Sequence, residues 1–451
     1  MLHVLVSIIA ILITIFFVIG THESAHFLVA RALGVKVLRF SIGFGKSLLT
    51  WHDKSGTEYV IALIPLGGYV KMLDENEGTV PENELPLAYN RQPFYKKFLI
   101  VLAGPLTNIF CAFVLYWIIF MIGFTTIKPL IGNIEPNSIA AKAGLEQNTE
   151  IVKIDNYAVN SWSGFILRLL SHAGNSDYST VDVLTTNQST QQHVLDLTTW
   201  KLDGLKPDPL TTIGITPYMP DIPLKIGKIA EDSPAKLAGF KLNDKIISIN
   251  KVPAKNWNDI VNFIVSHPDQ TVTFTVERNK KIISIPVTTS HQRNLLMQKS
   301  GFLGIGPDFT LPKEMTRKIQ YAPLPALGAA WHELYDFTYF NILLIGKLIV
   351  GKLSLQSLGG PIMIFDTAGE ALNIGLVSFL GFLAFLSISI GVINFLPLPG
   401  LDGGHLLIQF IEFVIRRPVP ENILMVLYRV SFMLIFFVLG IALVNDVLRL
   451  F

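Results

Sequence analysis

The chain has 451 residues, of which half are hydrophobic and 16% are charged, and its mean hydropathy is +0.48. An ordinary soluble protein carries about 25% charged residues, so the composition excludes that class. The net charge of +2 argues against a nucleic-acid-binding protein held by a basic surface. The single cysteine, Cys111, excludes a disulfide scaffold and a cysteine-rich metal site. The composition therefore predicts a membrane protein.

Four long apolar runs predict four membrane-spanning helices, because each is near or above the ~20 residues that a helix needs to cross hydrocarbon. Only the fourth run contains a charged residue, Arg429. The first run lacks the positive start and the cleavage site of a secretory signal, so we predict a retained span. A shorter run, Phe337 to Val350, is interrupted by Lys347 and predicts a helix lying along the membrane interface. The four runs cover residues 4–21, 98–127, 371–401 and 422–445.

Basic residues are distributed unevenly around these runs. They are frequent between the first and second runs, and two more, Arg416 and Arg417, follow the third. The short connections on the opposite side hold only Lys128 and Arg449. The positive-inside rule places residues 31–97 and the Arg416–Arg417 pair in the cytoplasm. Both termini and the long segment between the second and third runs are then predicted on the outer side.

The outer segment contains an internal repeat with a constant offset of 95 residues, which aligns Gly144 with Gly239 and Trp162 with Trp257. Each copy predicts a strand, a short helix, a second strand with a turn and an amphipathic helix. A predicted hairpin of residues 271–276 and 282–287 follows the second copy.

The repeated pattern resembles bacterial PDZ domains of the circularly permuted kind. That resemblance implies peptide binding by strand addition beside a helix. Gly214-Ile215 and Gly304-Ile305 are the candidates for the loops that would hold a peptide carboxylate. The alternative is that the pair is a steric spacer with no peptide ligand.

A metal-binding pattern lies near the end of the first apolar run, where His22-Glu23-Ser24-Ala25-His26 matches H-E-x-x-H. Helical positions i and i+4 lie on one face, so both imidazoles point the same way and Glu23 lies beside them. This arrangement suits two zinc ligands and a general base. Ionisable groups within a membrane span are costly, which favours a functional role over a polar helix end.

A catalytic zinc commonly has three protein ligands and one open position. The remaining candidate at membrane depth is Asp402, which follows the third apolar run in a segment broken by prolines and glycines. The predicted topology brings His26 and Asp402 to the same face of the membrane. His405 competes as a ligand, but it lies one turn further into the next helix, so we assign it a supporting role.

Taken together, these motifs resemble the site-2 protease family, and specifically its bacterial regulators of sigma-E proteolysis. The resemblance covers essentially the whole chain. It implies a bacterial inner-membrane enzyme that holds zinc with His22, His26 and Asp402 and uses Glu23 as the general base. The matching features are H-E-x-x-H, Gly104-Pro105 with Asn108, the PDZ pair, and the Asn394, Pro397, Pro399 and Asp402 segment.

The resemblance also implies a membrane-reentrant β-hairpin, whose halves fit residues 37–47 and 59–72. Substrates in the family are single-span membrane proteins first trimmed on the outer side, including an anti-sigma factor and remnant signal peptides. We expect an extended substrate to pair with a hairpin edge and with the Asn394 side chain. Asn108 is expected either to hydrogen-bond near the metal or to pack helices. The hairpin residues expected to contact substrate are Gly43, Phe44, Gly45, Gly67 and Gly68.

The predicted fold is a polytopic α-helical membrane protein with four spans, a reentrant β-hairpin and two outer PDZ-like α+β domains. A catalytically silent scaffold and a metal transporter are the rival functions. The intact set of ligands and base argues against the scaffold. Spans two and four are nearly free of polar residues, with Thr107, Asn108 and Arg429 as the exceptions, which argues against the transporter. The predicted divisions are 1–126, 127–220, 221–310, 311–370 (interfacial) and 371–451.

Overall fold

The computed structural model describes residues 2–76, 78–202, 208–293 and 299–449. Among them, four helices are long and apolar enough to cross a membrane, as the composition predicts. These helices are Leu5–Ala32, Phe94–Ile122, Leu376–Asn394 and Glu421–Arg449.

The elements are numbered in chain order. The helices are α1 Leu2–Ala32, α2 Phe94–Ile122, α3 Ile139–Lys142, α4 Trp162–Leu170, α5 Pro209–Thr212, α6 Pro234–Leu237, α7 Trp257–Ser266, α8 Pro323–Ile349, α9 Pro361–Ile374, α10 Leu376–Asn394, α11 Asp402–Ile415 and α12 Glu421–Arg449. The strands are β1 Val37–His52, β2 Glu58–Met72, β3 Phe124–Ile127, β4 Ile131–Ile134, β5 Glu150–Ile154, β6 Tyr157–Ala158, β7 Tyr178–Leu184, β8 Thr190–Asp196, β9 Ile215–Pro217, β10 Ile226–Ile229, β11 Lys245–Ile249, β12 Val252–Pro253, β13 Thr271–Arg278, β14 Lys281–Thr288, β15 Ser290–Arg293, β16 Lys299–Phe302, β17 Ile305–Pro307 and β18 Thr316–Ile319.

The membrane unit is built around α2, which packs against α1, α8, α10 and α11. Small residues allow the helices to approach closely, as expected where no hydrophobic effect drives helices together in lipid. Three of them, Ala112, Ala330 and Ala384, are fully buried in this apolar core. Ser387 on α10 donates a hydrogen bond to the carbonyl of Asn108 on α2 and locks the two helices in register.

Two sequence expectations about helix boundaries are corrected by the structure. The charge-free run 371–401 is not one helix, because Gly375 separates α9 from α10 with a φ of 141°. The segment Phe337 to Val350 is not an independent short helix either. It is the second half of α8, which has 27 residues and is held by ring stacking of Phe337 on Tyr116.

Strands β1 and β2 form an antiparallel hairpin that connects α1 to the rest of the chain. It is the β-prone pair predicted at residues 37–47 and 59–72, and it is longer, reaching His52 on the first strand. Its far part exposes large apolar side chains, while the part nearest α1 is buried against Phe27 and Ile100. The exposed ones are Phe44, Leu48, Leu49, Trp51, Leu63 and Ile64.

The two copies of the internal repeat have the same fold and the predicted offset. The first repeat (β4 to β9) and the second repeat (β10 to β17) each contain a four-stranded sheet, ordered β6-β5-β7-β8 and β12-β11-β13-β14. Helices α3 and α6, and then α4 and α7, begin 95 residues apart. Serine caps both short helices: Ser138 and Ser233 accept from the backbone N–H three residues on.

Candidate metal centre

The H-E-x-x-H residues lie within α1, where both imidazoles are buried and face α2. The two rings meet edge to face with centroids 4.8 Å apart, and their Nε2 atoms are 3.2 Å apart. Two basic ring nitrogens held this close together are a common arrangement around a metal ion. The helical i, i+4 spacing of His22 and His26 therefore has the predicted geometric consequence.

Asp402 reaches the histidines because the chain breaks after α10 and restarts at α11. The connecting segment 395–401 folds back over the start of α11, so that the carbonyls of Leu396 and Leu398 lie on Gly403 and Gly404. A Cβ added at either glycine would come within 2.4 Å of these oxygens. Glycine is therefore required at both positions to bring the Asp402 carboxylate back to α1.

Three ligand atoms converge at one point. Asp402 Oδ2 lies 3.0 Å from His22 Nε2 and 3.5 Å from His26 Nε2. The potential ligand atoms of these three side chains all lie within 4.8 Å of one another. Oδ2 is buried and makes no well-formed hydrogen bond. A buried carboxylate oxygen in that state is satisfied by a cation, so the donor set fits a divalent metal.

Polar groups of α2 fix the orientation of both imidazoles. His26 Nδ1 lies 2.7 Å from the carbonyl oxygen of Ile100, which can only accept, so Nδ1 carries the proton and Nε2 has a free lone pair. The Asn108 amide lies 3.3 Å from His22 Nδ1, and its Oδ1 is buried without a partner. With the amide turned so that Oδ1 accepts from Nδ1–H, His22 Nε2 is also free to bind a metal.

Gly104 is a site residue that the sequence did not single out as a contact. It lies one turn before Asn108 on the same face of α2. A Cβ at this position would come within 2.3 Å of His26 Nε2 and 2.7 Å of His22 Cε1. The available sequence signal was the i, i+4 spacing of a glycine and an asparagine in an otherwise apolar helix.

The hairpin contacts the residue expected to act as the base. Backbone of β2 passes so close to Glu23 that a Cβ at Gly68 would lie 2.7 Å from its Cγ. Gly43 and Gly67, both at positive φ, have equally little space, the first against the Ile64 carbonyl and the second against the Phe44 ring. Gly43, Gly67 and Gly68 are thus positions where the backbone is packed closely, and Gly68 borders the metal centre. A Cβ at Gly45 would make only ordinary contact, 3.5 Å from the Ile64 side chain.

The remaining predicted residues occupy different surroundings. Asn394 is the last residue of α10 and is half-buried. Its side chain has no hydrogen-bond partner among the described residues. Pro399 is buried in the segment that carries Asp402, and Pro397 is exposed there. His405 is exposed and its Nδ1 lies 3.5 Å from the Tyr428 hydroxyl, so it is not one of the three converging ligands.

Two histidines and one carboxylate converging between apolar helices, with a glutamate beside them, define a membrane metallopeptidase. The profile of peptidase family M50 matches residues 10–438, and the chain belongs to that family. It is accordingly a zinc metalloprotease.

The chain is similar over its full length to curated bacterial proteins. A regulator of sigma-E protease RseP from Salmonella typhimurium is 37% identical, with all of both chains aligned. The protein of that name from Escherichia coli K12 is 38% identical over 96% of each chain, and protease RseP from Yersinia pestis is 37% identical over all of both. A solved PDZ domain from Listeria monocytogenes covers 20% of this chain and 93% of its own, with 15% identity and a TM-score of 0.17.

Proposed function

We propose that this protein is a zinc-dependent intramembrane endopeptidase that cleaves single-span membrane proteins. The observation that carries the proposal is the convergence of His22 Nε2, His26 Nε2 and Asp402 Oδ2 beside Glu23, with both histidines and Glu23 on a helix apolar enough to cross a membrane. Full-length similarity to sigma-E regulatory proteases supports the same class of substrate.

His22, His26 and Asp402 would hold the zinc ion, with two imidazole nitrogens oriented by Ile100 and Asn108. Zinc bound there would supply Lewis-acid activation of water and of the scissile carbonyl. The Glu23 carboxylate accepts a proton from the attacking water and returns it to the leaving amine nitrogen. We expect Pro397 and Pro399 to shape the segment before Asp402, and His405 to support it from the first turn of α11.

A peptide bond within a helix is hydrogen-bonded and sterically closed, so the substrate must be drawn into an extended form. We expect the β1–β2 hairpin to provide an edge for strand addition. Its closely packed backbone at Gly67 and Gly68 adjoins Glu23. Gly43, Phe44 and Gly45 line the same hairpin on the other strand. The unpaired side-chain amide of Asn394 is then available to hydrogen-bond the substrate backbone.

The biological setting follows from the same resemblance. The substrates would be an anti-sigma factor and remnant signal peptides, cleaved after trimming on the outer side in a stress response. Both repeats and both termini would lie in the periplasm, and the metal centre near the cytoplasmic face of the inner membrane. The hairpin would re-enter the membrane. The PDZ-like repeats would exclude untrimmed substrates and offer a binding site to peptide C-termini.

Glu23→Gln tests the assignment, because it keeps the shape of the side chain and removes its ability to take a proton. Purified Glu23→Gln should retain zinc at the wild-type stoichiometry and fail to cleave a single-span substrate. Glu82→Gln, an exposed glutamate elsewhere in the chain, is the matched control and should cleave normally. Cleavage by Glu23→Gln at the wild-type rate would refute the proposal.

Removal of zinc by a chelator should stop cleavage by the wild-type enzyme, and added zinc should restore it.

A further inference from the structure

A pocket separate from the metal centre lies at the end of the membrane unit where α2 begins and α11 ends. It has a volume of about 290 Å³, and its first lining residue on α11, Gln409, lies about two helical turns beyond Asp402. One wall is aromatic: the rings of Phe94 and Phe413 stack with centroids 4.5 Å apart. The volume could hold roughly ten water molecules, and so a small phosphodiester headgroup.

Three cations line this pocket: Lys97 from α2, and Arg416 and Arg417 from the end of α11. Arg416 ends the helix in the left-handed conformation, with φ 56°, and turns the chain so that both guanidinium groups border the same space. None of the three has an ion-pair or hydrogen-bond partner for its side chain in the described part of the protein. Arg39 on β1, in contrast, is paired with Glu58.

The pocket also contains hydrogen-bond acceptors. Gln409 is only 8% exposed, donates to the Tyr89 hydroxyl over 2.8 Å, and leaves Oε1 buried without a partner. Glu412 accepts from the backbone N–H of Val419 through one oxygen. The lining therefore has a net charge of +2 together with oxygen atoms able to accept from a hydroxyl group.

The side chains next to the pocket are apolar and exposed, as expected for residues that contact lipid. Phe413, Val414 and Ile415 are each more than half exposed, which suits contact with acyl chains and not with water. The amino end of α2, which no side chain caps, adds positive potential at the same place. Basic pockets between membrane helices are where anionic phospholipid headgroups bind.

We propose that this pocket binds one anionic phospholipid through its headgroup, with phosphatidylglycerol as the matching chemistry. The phosphate contacts the three cations, and a glycerol hydroxyl donates to the free oxygen of Gln409. The phosphatidylethanolamine headgroup has no net charge, so it leaves the +2 charge of the pocket lining uncompensated. It should therefore bind less well than the anionic phosphatidylglycerol. The bound lipid then fixes the junction of α2 and α11, the two helices that carry Asn108 and Asp402.

Native mass spectrometry of the full-length protein in detergent tests this directly, with phosphatidylglycerol and phosphatidylethanolamine added separately. The wild-type protein should retain one phosphatidylglycerol at least tenfold more tightly than phosphatidylethanolamine. Arg416→Gln with Arg417→Gln should weaken that binding about thirtyfold, since each cation near an anionic lipid contributes about a factor of five. The control Lys46→Gln with Lys54→Gln removes the same charge from the hairpin and should leave it unchanged.

Two further measurements separate the outcomes. Glu412→Gln keeps the acceptor for Val419 and removes the negative charge from the pocket, so it should tighten phosphatidylglycerol binding about fivefold. Inorganic phosphate at 10 mM should not displace the lipid. The proposal is overturned if both lipids bind equally, if the two double variants behave alike, if Glu412→Gln has no effect, or if phosphate displaces the lipid.

Discussion

At the scale of single residues, Gly104 sets the distance between α2 and the two histidines. Gly104→Ala should lower zinc content and proteolysis at least tenfold, because the added methyl would overlap His26 Nε2. Gly381→Ala is the matched control: it is also a glycine in an apolar membrane helix, but a Cβ there meets nothing within 4 Å. Metal analysis of both purified variants measures the effect. Full zinc occupancy in Gly104→Ala would contradict it.

Asp244 gives the second repeat a pH-dependent contribution to stability. Burial alone would raise the pKa of this carboxyl, but hydrogen bonds from Arg278 and from the Lys241 N–H outweigh burial and lower the pKa below its ordinary value. A carboxyl with a lowered pKa in the folded state stabilises the fold above about pH 4, and the contribution disappears as pH falls further. Asp244→Asn should therefore destabilise the second repeat by about 2 kcal/mol at pH 7.

Hydrogen-exchange protection of β11 and β13 in the full-length protein, corrected for intrinsic rates, measures this change. Protection in the wild type should decrease as pH falls from about 5 to about 2.5, whereas Asp244→Asn should be low throughout and less dependent on pH. Asp221→Asn, an exposed aspartate at the start of the same repeat, should follow the wild type. Equal pH dependence in wild type and Asp244→Asn would rule out this role.

The candidate site could be predicted from sequence where one helix carries the pattern. His22, Glu23 and His26 follow from i, i+4 geometry, which is local. Asp402 could be placed through topology and chemistry. The carbonyl of Ile100 and the space at Gly104 could not, because they depend on how closely two helices approach. Helix packing distances are set by side chains that are distant in sequence.

At the scale of elements, α12 is attached mainly by polar contacts in its last turns. Asp446 is buried and accepts from the backbone N–H groups of Gly360, Ile362 and Met363, so it caps the start of α9 from another helix. Asn445 donates to the carbonyls of Leu355 and Leu358. In contrast, most of the apolar surface of α12 is exposed to the membrane.

Asp446→Ala should therefore loosen α12 and the start of α9 together. Charge-assisted hydrogen bonds contribute about 1.5–3 kcal/mol each, so we expect a loss of at least 2 kcal/mol. Thermal unfolding in detergent and protease cleavage near residues 350–360 measure it. Glu421→Ala removes a carboxylate at the other end of α12 that has no ion pair with the residues that the structure describes, and it should change neither. Resistance to protease equal to that of the wild type would show that the cap is dispensable.

The order of elements was predictable because their periodicities are local. The repeat, its two amphipathic helices and the 271–276 hairpin all formed as their patterns indicate. Two boundaries were wrong because composition carries no information about them. The apolar stretch around Gly375 reads as continuous, and the structure breaks it through a backbone conformation that only glycine adopts easily. The first half of α8, residues 323–336, starts with prolines and contains His332, Glu333 and Asp336, which interrupt the apolar signal although the segment is helical.

At the scale of the whole molecule, the first repeat is docked on α8. Lys347 is 4% exposed and donates to the carbonyls of Ser171 and Ala173, just after α4. Arg168 on α4 pairs with Asp336, which lies about three turns before Lys347 on α8. The first repeat is thus held against the membrane unit by charged groups that act on the end of a helix.

Lys347→Met should release the first repeat, because it leaves two buried carbonyls without a donor. If the repeats exclude untrimmed substrates, cleavage of a substrate with an intact outer domain should rise several-fold, while cleavage of the trimmed form stays the same. Lys352→Met removes a cation five residues away that makes one long, exposed hydrogen bond, and it serves as the control. A parallel change in cleavage of both substrates would point to the active site and not to exclusion.

The convergence of Asp402 with His22 and His26 also has a consequence for biosynthesis. Asp402 follows His26 by 376 residues. At a translation rate of about 5–20 residues per second, the third ligand emerges roughly 20 to 75 seconds after the first two. During this interval the nascent chain has Glu23 and the two histidines but not Asp402. The group of three potential ligands is therefore complete only when synthesis of the chain is nearly finished.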